Sequence, residues 1–177
     1  PARITSWKGQ LEFIDVIKKI DTQNILVLFA GDTKNESYTK LVRDKIKQNN
    51  LQGVCKILGS INQDEMRSLY QVTDLSVSFP LRAEGFGRTV SESLYSKTPV
   101  LAFDYGGIKN QLENLNEIYK VKPQDYQSLP AKIEKLLSLS EVEKKEALEG
   151  VQSVIESNFS KINMVNKYLK LYESIKS

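Results

Sequence analysis

The sequence contains no histidine at all. That absence excludes imidazole general-base chemistry, Ser-His-Asp triads and most zinc sites within the chain. There is a single cysteine, Cys55, so no internal disulfide can form and a reducing compartment is the simpler assumption. It sits in the run Val54-Cys55-Lys56-Ile57-Leu58, where a buried strand cysteine is expected. Long apolar runs are also lacking. The longest, Ile25 to Ala30, is far shorter than the roughly 20 residues a membrane-spanning helix takes. The N-terminus has no apolar stretch with a small-residue cleavage site, so nothing there reads as a signal peptide. Neither sign of charge dominates: 25 basic and 22 acidic side chains leave a net +3. So balanced a chain carries no electrostatic footprint for nucleic acid, and no basic stripe interleaves with aromatics. Some of the excess lies in Lys161, Lys167, Lys170 and Lys176. They read as a solvated helix face, or as a mildly basic face for peripheral contact with anionic lipid at the inner side of a membrane. A cytoplasmic location is expected.

What is present is an alternation of short apolar runs with longer amphipathic ones. At 177 residues the chain fits one domain spanning 1–177. Ile25 to Ala30 ends at Gly31-Asp32, as expected of a strand covered on both faces. Val54 to Leu58 ends at Gly59, Leu75 to Phe79 at Pro80, and Val100 to Phe103 at Asp104. A weaker fifth run, Ile118 to Val121, is closed by Pro123, and Arg3-Ile4 reads as the end of another strand. Helical spacing marks Trp7 to Ile20, a segment around Leu41 to Ile46, a short one after Asp64, and Val90 to Tyr95. A further helix carries Leu129, Ile133, Leu136 and Leu137, with its start at Ser128 or at Asp125. Glu141 to Ile155 and Ile162 to Ile175 read as helix throughout. Strands alternating with helices predict βαβ units and a Rossmann-like, doubly wound parallel sheet with extra C-terminal helices. In such sheets ligands sit outside the carboxyl ends of the strands, so the loops after the apolar runs are where chemistry is expected.

One loop stands out, Ala83-Glu84-Gly85-Phe86-Gly87-Arg88-Thr89-Val90-Ser91-Glu92. Gly85 and Gly87 let backbone approach a ligand closely, and the N–H groups around Arg88 to Val90 lie at a helix start, a ready anion site. A dinucleotide fingerprint would need glycine where Val90 stands, and a Walker A loop would need Gly-Lys-Ser/Thr, which the chain lacks. With a phosphate on the helix start, Glu84 reaches to one side and Glu92 to the other, and carboxylates accept paired hydrogen bonds from vicinal diols. A blander account stands beside this: Thr89 to Glu92 also fits a capping box, and Glu84 fits a solvated loop residue. Arg3 and Lys8 flank a strand end and a helix start; Lys8 there opposes the helix dipole, a small cost that a bound diphosphate would reverse. Lys8 also fits an exposed lysine beside a glycine hinge. Asp104-Tyr105-Gly106-Gly107 follows a strand as a tight turn that could let backbone come near a ligand.

Together these loops resemble the C-terminal domain of the GT4 family of retaining glycosyltransferases, which have the GT-B fold. The likeness runs over nearly the whole chain in the family's order. Arg3-x4-Lys8-Gly9 resembles the diphosphate-binding pair, Ala30-Gly31-Asp32 a strand end, and Val54 to Gly59 the strand and loop against the nucleotide base. Glu84-Gly85-Phe86-Gly87 with Glu92 is similar to the Glu-x7-Glu motif, the most specific feature, and Val100 to Gly107 to the next strand and Gly-Gly turn. The resemblance implies a nucleotide-diphospho-sugar donor, UDP-, GDP- or ADP-linked. Glu84 would contact the transferred sugar and Glu92 the ribose hydroxyls. Amides near Phe86 and Gly87 would meet sugar hydroxyls, those near Thr89 and Val90 would meet phosphate, and backbone near Ile57 would meet the base. Arg3 and Lys8 would neutralise the departing diphosphate, with no metal needed, and the chain has no Asp-x-Asp motif. The sequence departs from the family at Asn110, where a Glu is common, and at Asn116 to Tyr119, where a glycine is common. The family's N-terminal acceptor domain has no counterpart here, so the chain corresponds to half of such an enzyme. Related epimerases rely on histidines this chain lacks; a non-catalytic sugar-nucleotide-binding or scaffold module is the alternative from another class. Cell-envelope polysaccharide or lipopolysaccharide synthesis is the expected setting.

Overall fold

The computed structural model describes residues 1–113 and 115–176, the side chain of Lys176 excepted. That lysine of the basic C-terminal group therefore lies outside the described side chains. Strand β1 (Val27–Ala30) pairs in parallel with β2 (Cys55–Gly59), and β3 (Ser76–Ser78), β4 (Val100–Phe103) and β5 (Lys120–Val121) form a second parallel sheet in that order. The helices are α1 (Gln10–Ile17), α2 (Glu36–Gln48), α3 (Gln63–Gln71), α4 (Arg88–Tyr95), α5 (Gly107–Leu112), α6 (Leu129–Leu137), α7 (Glu141–Ala147), α8 (Val151–Phe159) and α9 (Lys161–Lys176). This is the Rossmann-like α/β alternation read from the apolar runs.

The residues before α1 extend the first sheet. The Ala2 N–H donates to the Ala30 carbonyl and the Ile4 N–H to the Asp32 carbonyl, both at 2.8 Å. Ile4 is buried beneath them. β4 is the most enclosed strand, with all four side chains fully buried, because it has a partner strand on each side and helices over its faces. A row of aromatic rings ties the two sheets through α1: Phe29 meets Phe13, Phe13 meets Phe79, Phe79 meets Phe103 and Phe103 meets Tyr126, with centroids 5.1–6.4 Å apart. Such tilted and edge-on contacts add to the burial each ring contributes.

Side-chain caps account for several helix starts. Asn35 caps α2 by accepting from the Tyr38 N–H, and reciprocal capping boxes open α3 (Asn62 with Glu65) and α7 (Ser140 with Glu143). Asp125 accepts from the Ser128 N–H, so it forms a turn ahead of α6 and the helix itself begins at Leu129. Three expectations are corrected. The segment from Glu141 to Ile155 is two helices, because α7 closes at its C-cap Leu148 and Gly150, at a left-handed φ of 73°, is the N-cap from which α8 starts afresh. Ile118 and Tyr119 belong to a 3₁₀ turn rather than a strand, since Asn116 caps that turn by accepting the Ile118 N–H. The first helix starts at Gln10, three residues later than Trp7, because Gly9 takes a left-handed φ of 77° and abuts the Phe79 carbonyl. Among the described residues, no helix is long and apolar enough to cross a membrane.

Candidate functional site

The turn at Thr5–Gly9 and the loop after β3 meet at the carboxyl ends of the strands. The Leu81 N–H donates to the Trp7 carbonyl at 2.8 Å, which locks the two segments side by side. Lys8 Nζ then lies 2.6 Å from Glu84 Oε1, with only 13% and 12% of the two side chains exposed. The same ammonium stands 4.3 Å from the Trp7 ring centroid, a cation–π contact. Neither residue is the solvated side chain of the blander account: each neutralises the other in a largely desolvated pocket.

The loop from Glu84 to Gly87 is held from beneath. The Gly107 N–H donates to the Glu84 carbonyl at 2.8 Å. A Cβ on Gly107 would come within 2.1 Å of the Gly85 carbonyl oxygen, and one on Gly106 within 2.7 Å of the Glu84 carbonyl oxygen. The paired glycines are therefore where the backbone of α5 presses against this loop. Gln111, from the last turn of α5, donates to the Phe86 carbonyl and accepts from the Ser91 hydroxyl at 2.6 Å. Gln111 is buried, so these bonds satisfy a side chain that would otherwise be costly to enclose. The Phe86 ring leans edge-on against Phe159 of α8, with centroids 5.3 Å apart.

Gly87 is the N-cap of α4, with φ 79° and no side-chain cap. The capping box with Thr89 is thus not formed: Thr89 lies inside the first turn and has no cap position. The Val90 N–H donates to the Gly87 carbonyl at 2.9 Å, so it is not available for a phosphate, and Val90 itself is fully buried. The amides of Arg88 and Thr89 are the donors of this turn left without a helical partner. Glu92 sits one turn further along. Its Oε2 accepts from the Tyr70 hydroxyl at 3.3 Å, and the same hydroxyl reaches the Thr89 carbonyl at 3.2 Å. Burial, then the Glu92 charge, push the Tyr70 phenol well above its ordinary pKa, so it stays a neutral donor to that carboxylate. Burial and the nearby Glu84 charge likewise raise Tyr105, whose hydroxyl donates to the Pro80 carbonyl.

Of the residues singled out in the sequence, the structure brings Lys8, Glu84, Gly85, Phe86, Gly87, Arg88, Thr89 and Glu92 onto one rim. Arg3 is exposed on the strand end leading to this rim, makes no ion pair among the described residues, and has its carbonyl bound by the Gln10 side chain at 2.9 Å. Ile57 lies in β2, half-buried and packed against the core, on the far side of β1 from this loop. The contacts of Tyr70, Tyr105, Gln111 and Phe159 with this loop escaped the sequence reading. Each acts through a contact 19 or more residues away in the chain, and α5 is too short and glycine-started to announce itself by periodicity.

The loop thus combines a part-buried carboxylate–ammonium pair, glycines at close backbone approach and two amides at a helix start that have no hydrogen-bond partner among the described residues. Residues 1–149, which include all of it, match the description of glycosyl transferases group 1. The chain belongs to that family. Trehalose synthase of Thermococcus litoralis is 28% identical over 98% of this chain and 43% of its own length. A glycosyltransferase from Rickettsia africae superposes with a TM-score of 0.88 at 30% identity, over 100% of this chain and 47% of that one. Anabaena HepE, solved with UDP and glucose, shares the fold at a TM-score of 0.84 and 22% identity, over 97% of this chain and 46% of that one. This group 1 glycosyltransferase domain therefore spans less than half the length of each protein it resembles here. Among the described residues no cluster of His, Cys, Asp and Glu could hold a metal ion.

Proposed function

We propose that residues 1–177 are the donor domain of a retaining glycosyltransferase, binding a nucleotide-diphospho-sugar and working with an acceptor domain from the rest of a longer protein. The observation that carries this reading is the Lys8–Glu84 pair at 2.6 Å beside the α4 N-terminus. A part-buried cation and a part-buried carboxylate beside glycine backbone suit a ligand that is anionic at one end and polyhydroxylated at the other. On binding, Lys8 turns from Glu84 toward the diphosphate, and Arg3 swings in from solvent to the same group. The Arg88 and Thr89 amides add hydrogen bonds and the positive end of the helix dipole. Glu84, released from its partner, accepts from hydroxyls of the sugar, and Glu92, oriented by Tyr70, accepts from the ribose.

The chemistry follows from where charge develops. The anomeric C–O bond to the diphosphate breaks and its electron pair goes to the leaving oxygen, while the sugar ring becomes positive. The acceptor hydroxyl oxygen bonds to the anomeric carbon, and its proton passes to the departing phosphate on the same face, which retains the configuration. Lys8, Arg3 and the helix start stabilise the leaving charge in place before it forms, the arrangement that contributes most in such sites. UDP is the first nucleotide to test, given the UDP seen in Anabaena HepE. The expected setting is the cytoplasm, with peripheral membrane contact through Lys161, Lys167 and Lys170 and the exposed apolar side chains of α9, and a cell-envelope glycan or lipid as acceptor.

Calorimetric titration with UDP, GDP and ADP, repeated with Glu92→Ala, tests the donor site. Selective binding of one diphosphate, weakened at least tenfold by the substitution, is the expected result, a difference of about 1.4 kcal/mol. Equal affinity in the variant would remove Glu92 from the site.

A further inference from the structure

The Lys8–Glu84 contact is lopsided. Lys8 Nζ donates to Glu84 Oε1 at 2.6 Å and also stands 4.3 Å from the Trp7 ring centroid, so the ammonium keeps one favourable contact when the bond breaks. Glu84 has no second contact of this kind. Among the described residues its carboxylate has no hydrogen-bond or ion-pair partner besides Lys8. Tyr105 is close enough for the Glu84 charge to raise its pKa, but it commits its hydroxyl to the Pro80 carbonyl.

Nor is the loop free to carry Glu84 out to water. The Glu84 carbonyl accepts from the Gly107 N–H at 2.8 Å, and three residues earlier the Leu81 N–H is bound to the Trp7 carbonyl at 2.8 Å. On the other side the Gly85 carbonyl oxygen lies 2.1 Å from where a Cβ on Gly107 would stand. The backbone on both sides of Glu84 is therefore pinned, while only 12% of its side chain is exposed.

Resting on the donor-site reading above, we propose that this pair makes Glu84 a specificity-determining residue, which sets the site against a bare nucleoside diphosphate and in favour of the intact sugar nucleotide. A diphosphate alone draws Lys8 away and leaves a carboxylate that is shielded from water and has lost its counter-charge, which is costly. A sugar nucleotide draws Lys8 to the same phosphates, and hydroxyls of its sugar then donate to Glu84 in place of the ammonium. Only an attached sugar offsets the broken pair. The same linkage acts after transfer. Once the sugar has passed to the acceptor, Glu84 draws Lys8 back and the diphosphate loses a cation, which favours its release. Coupling of this kind is reciprocal: sugar on Glu84 strengthens the hold on phosphate as much as phosphate on Lys8 frees Glu84 for sugar.

Calorimetric titration of the 177-residue chain with UDP, GDP and ADP, and with the glucose conjugate of each, tests the coupling. The variants are Glu84→Gln, Lys8→Met and the two combined, each checked for folding by circular dichroism. Glu84→Gln is expected to tighten the diphosphate that the wild type binds best by at least about fivefold, and not to tighten its glucose conjugate. In the Lys8→Met background the same substitution is expected to change diphosphate affinity by less than about twofold, because no ammonium is there to be released. Excess free glucose is expected to tighten the diphosphate in the wild type, a measurement that needs no variant.

No tightening by Glu84→Gln or by glucose, with the diphosphate still bound by the wild type, would overturn the coupling and leave the donor site standing. Equal tightening in the Lys8→Met background would overturn it as well, since plain repulsion between Glu84 and phosphate would then be the cause. So would equal tightening of the conjugate. Failure of the wild type to bind any of the three diphosphates would bring down the donor-site reading and this proposal together.

Discussion

Removing the cation from the Lys8–Glu84 pair is the sharpest test of how the donor loop is held. Lys8→Met keeps a straight apolar stem under Trp7 and leaves Glu84 charged in a pocket where 12% of its side chain is exposed. Breaking a fully buried pair from one side costs about 3–5 kcal/mol. Since about an eighth of each side chain here still meets solvent, about 2–4 kcal/mol is the better expectation. Against a domain stability of about 5–15 kcal/mol the variant remains folded. At this size each kcal/mol lowers the melting temperature by about 2–4 °C, so a fall of roughly 4–16 °C is expected. Glu84→Gln alone leaves the ammonium without its counter-charge, although the Trp7 ring face offsets part of that loss. The double variant Lys8→Met/Glu84→Gln buries no unpaired charge, so it should be more stable than the sum of the single losses predicts, by more than about 1 kcal/mol. Urea unfolding of the four proteins at one pH and ionic strength, followed by circular dichroism, measures the cycle. Single costs that add within about 0.5 kcal/mol would refute the pairing as a stabilising contact and leave it a passing geometry.

Three further outcomes follow from the same loop and core. Gly107→Ala places a methyl 2.1 Å from the Gly85 carbonyl oxygen; it should cost about 1–3 kcal/mol and displace the loop, read as a lower melting temperature together with weaker nucleotide diphosphate binding in titration. Gln111→Leu fills the same space but removes the bonds to Phe86 and Ser91; it should leave the Phe86 carbonyl unsatisfied, cost about 1–3 kcal/mol and weaken diphosphate binding more than a distant substitution of equal stability cost. Burial pushes the Cys55 thiol up from 9.0 to about 11, so alkylation of the folded protein at pH 8 should run about two orders of magnitude slower than for a free thiol. The sign of the linked effect is fixed: the raised pKa stabilises the fold below pH 9, and that contribution is lost as pH rises from 9 toward 11, measurable as a falling urea midpoint.

Much of this was legible in the residues. The apolar runs that became β1 to β4 are bounded by Gly31, Gly59, Pro80 and Asp104, and periodicity placed them within two residues. The donor loop was visible because its chemistry is contiguous: Glu84, two glycines and Glu92 lie within nine residues of one another. Its supports were not. Gln111 and Tyr70 look like ordinary helical polar residues until folding sets one under Phe86 and the other against Glu92. The separate fates of Arg3 and Lys8, one exposed and one part-buried in an ion pair, were equally invisible from their spacing.

By itself the sequence determined the alternation of strands and helices, the glycine-rich loop proposed as the anion site, and the exclusion of histidine chemistry. These are properties of short stretches, where hydrophobic period, glycine freedom and residue type act over a few bonds. Only the tertiary structure decided that the Leu81 amide reaches the Trp7 carbonyl, that the Gly107 amide holds the Glu84 carbonyl, and that the Ala2 amide joins Ala30 of β1. Each of those depends on which distant backbone groups come within 3 Å of one another. That is settled by the packing of whole elements, and no local pattern encodes it.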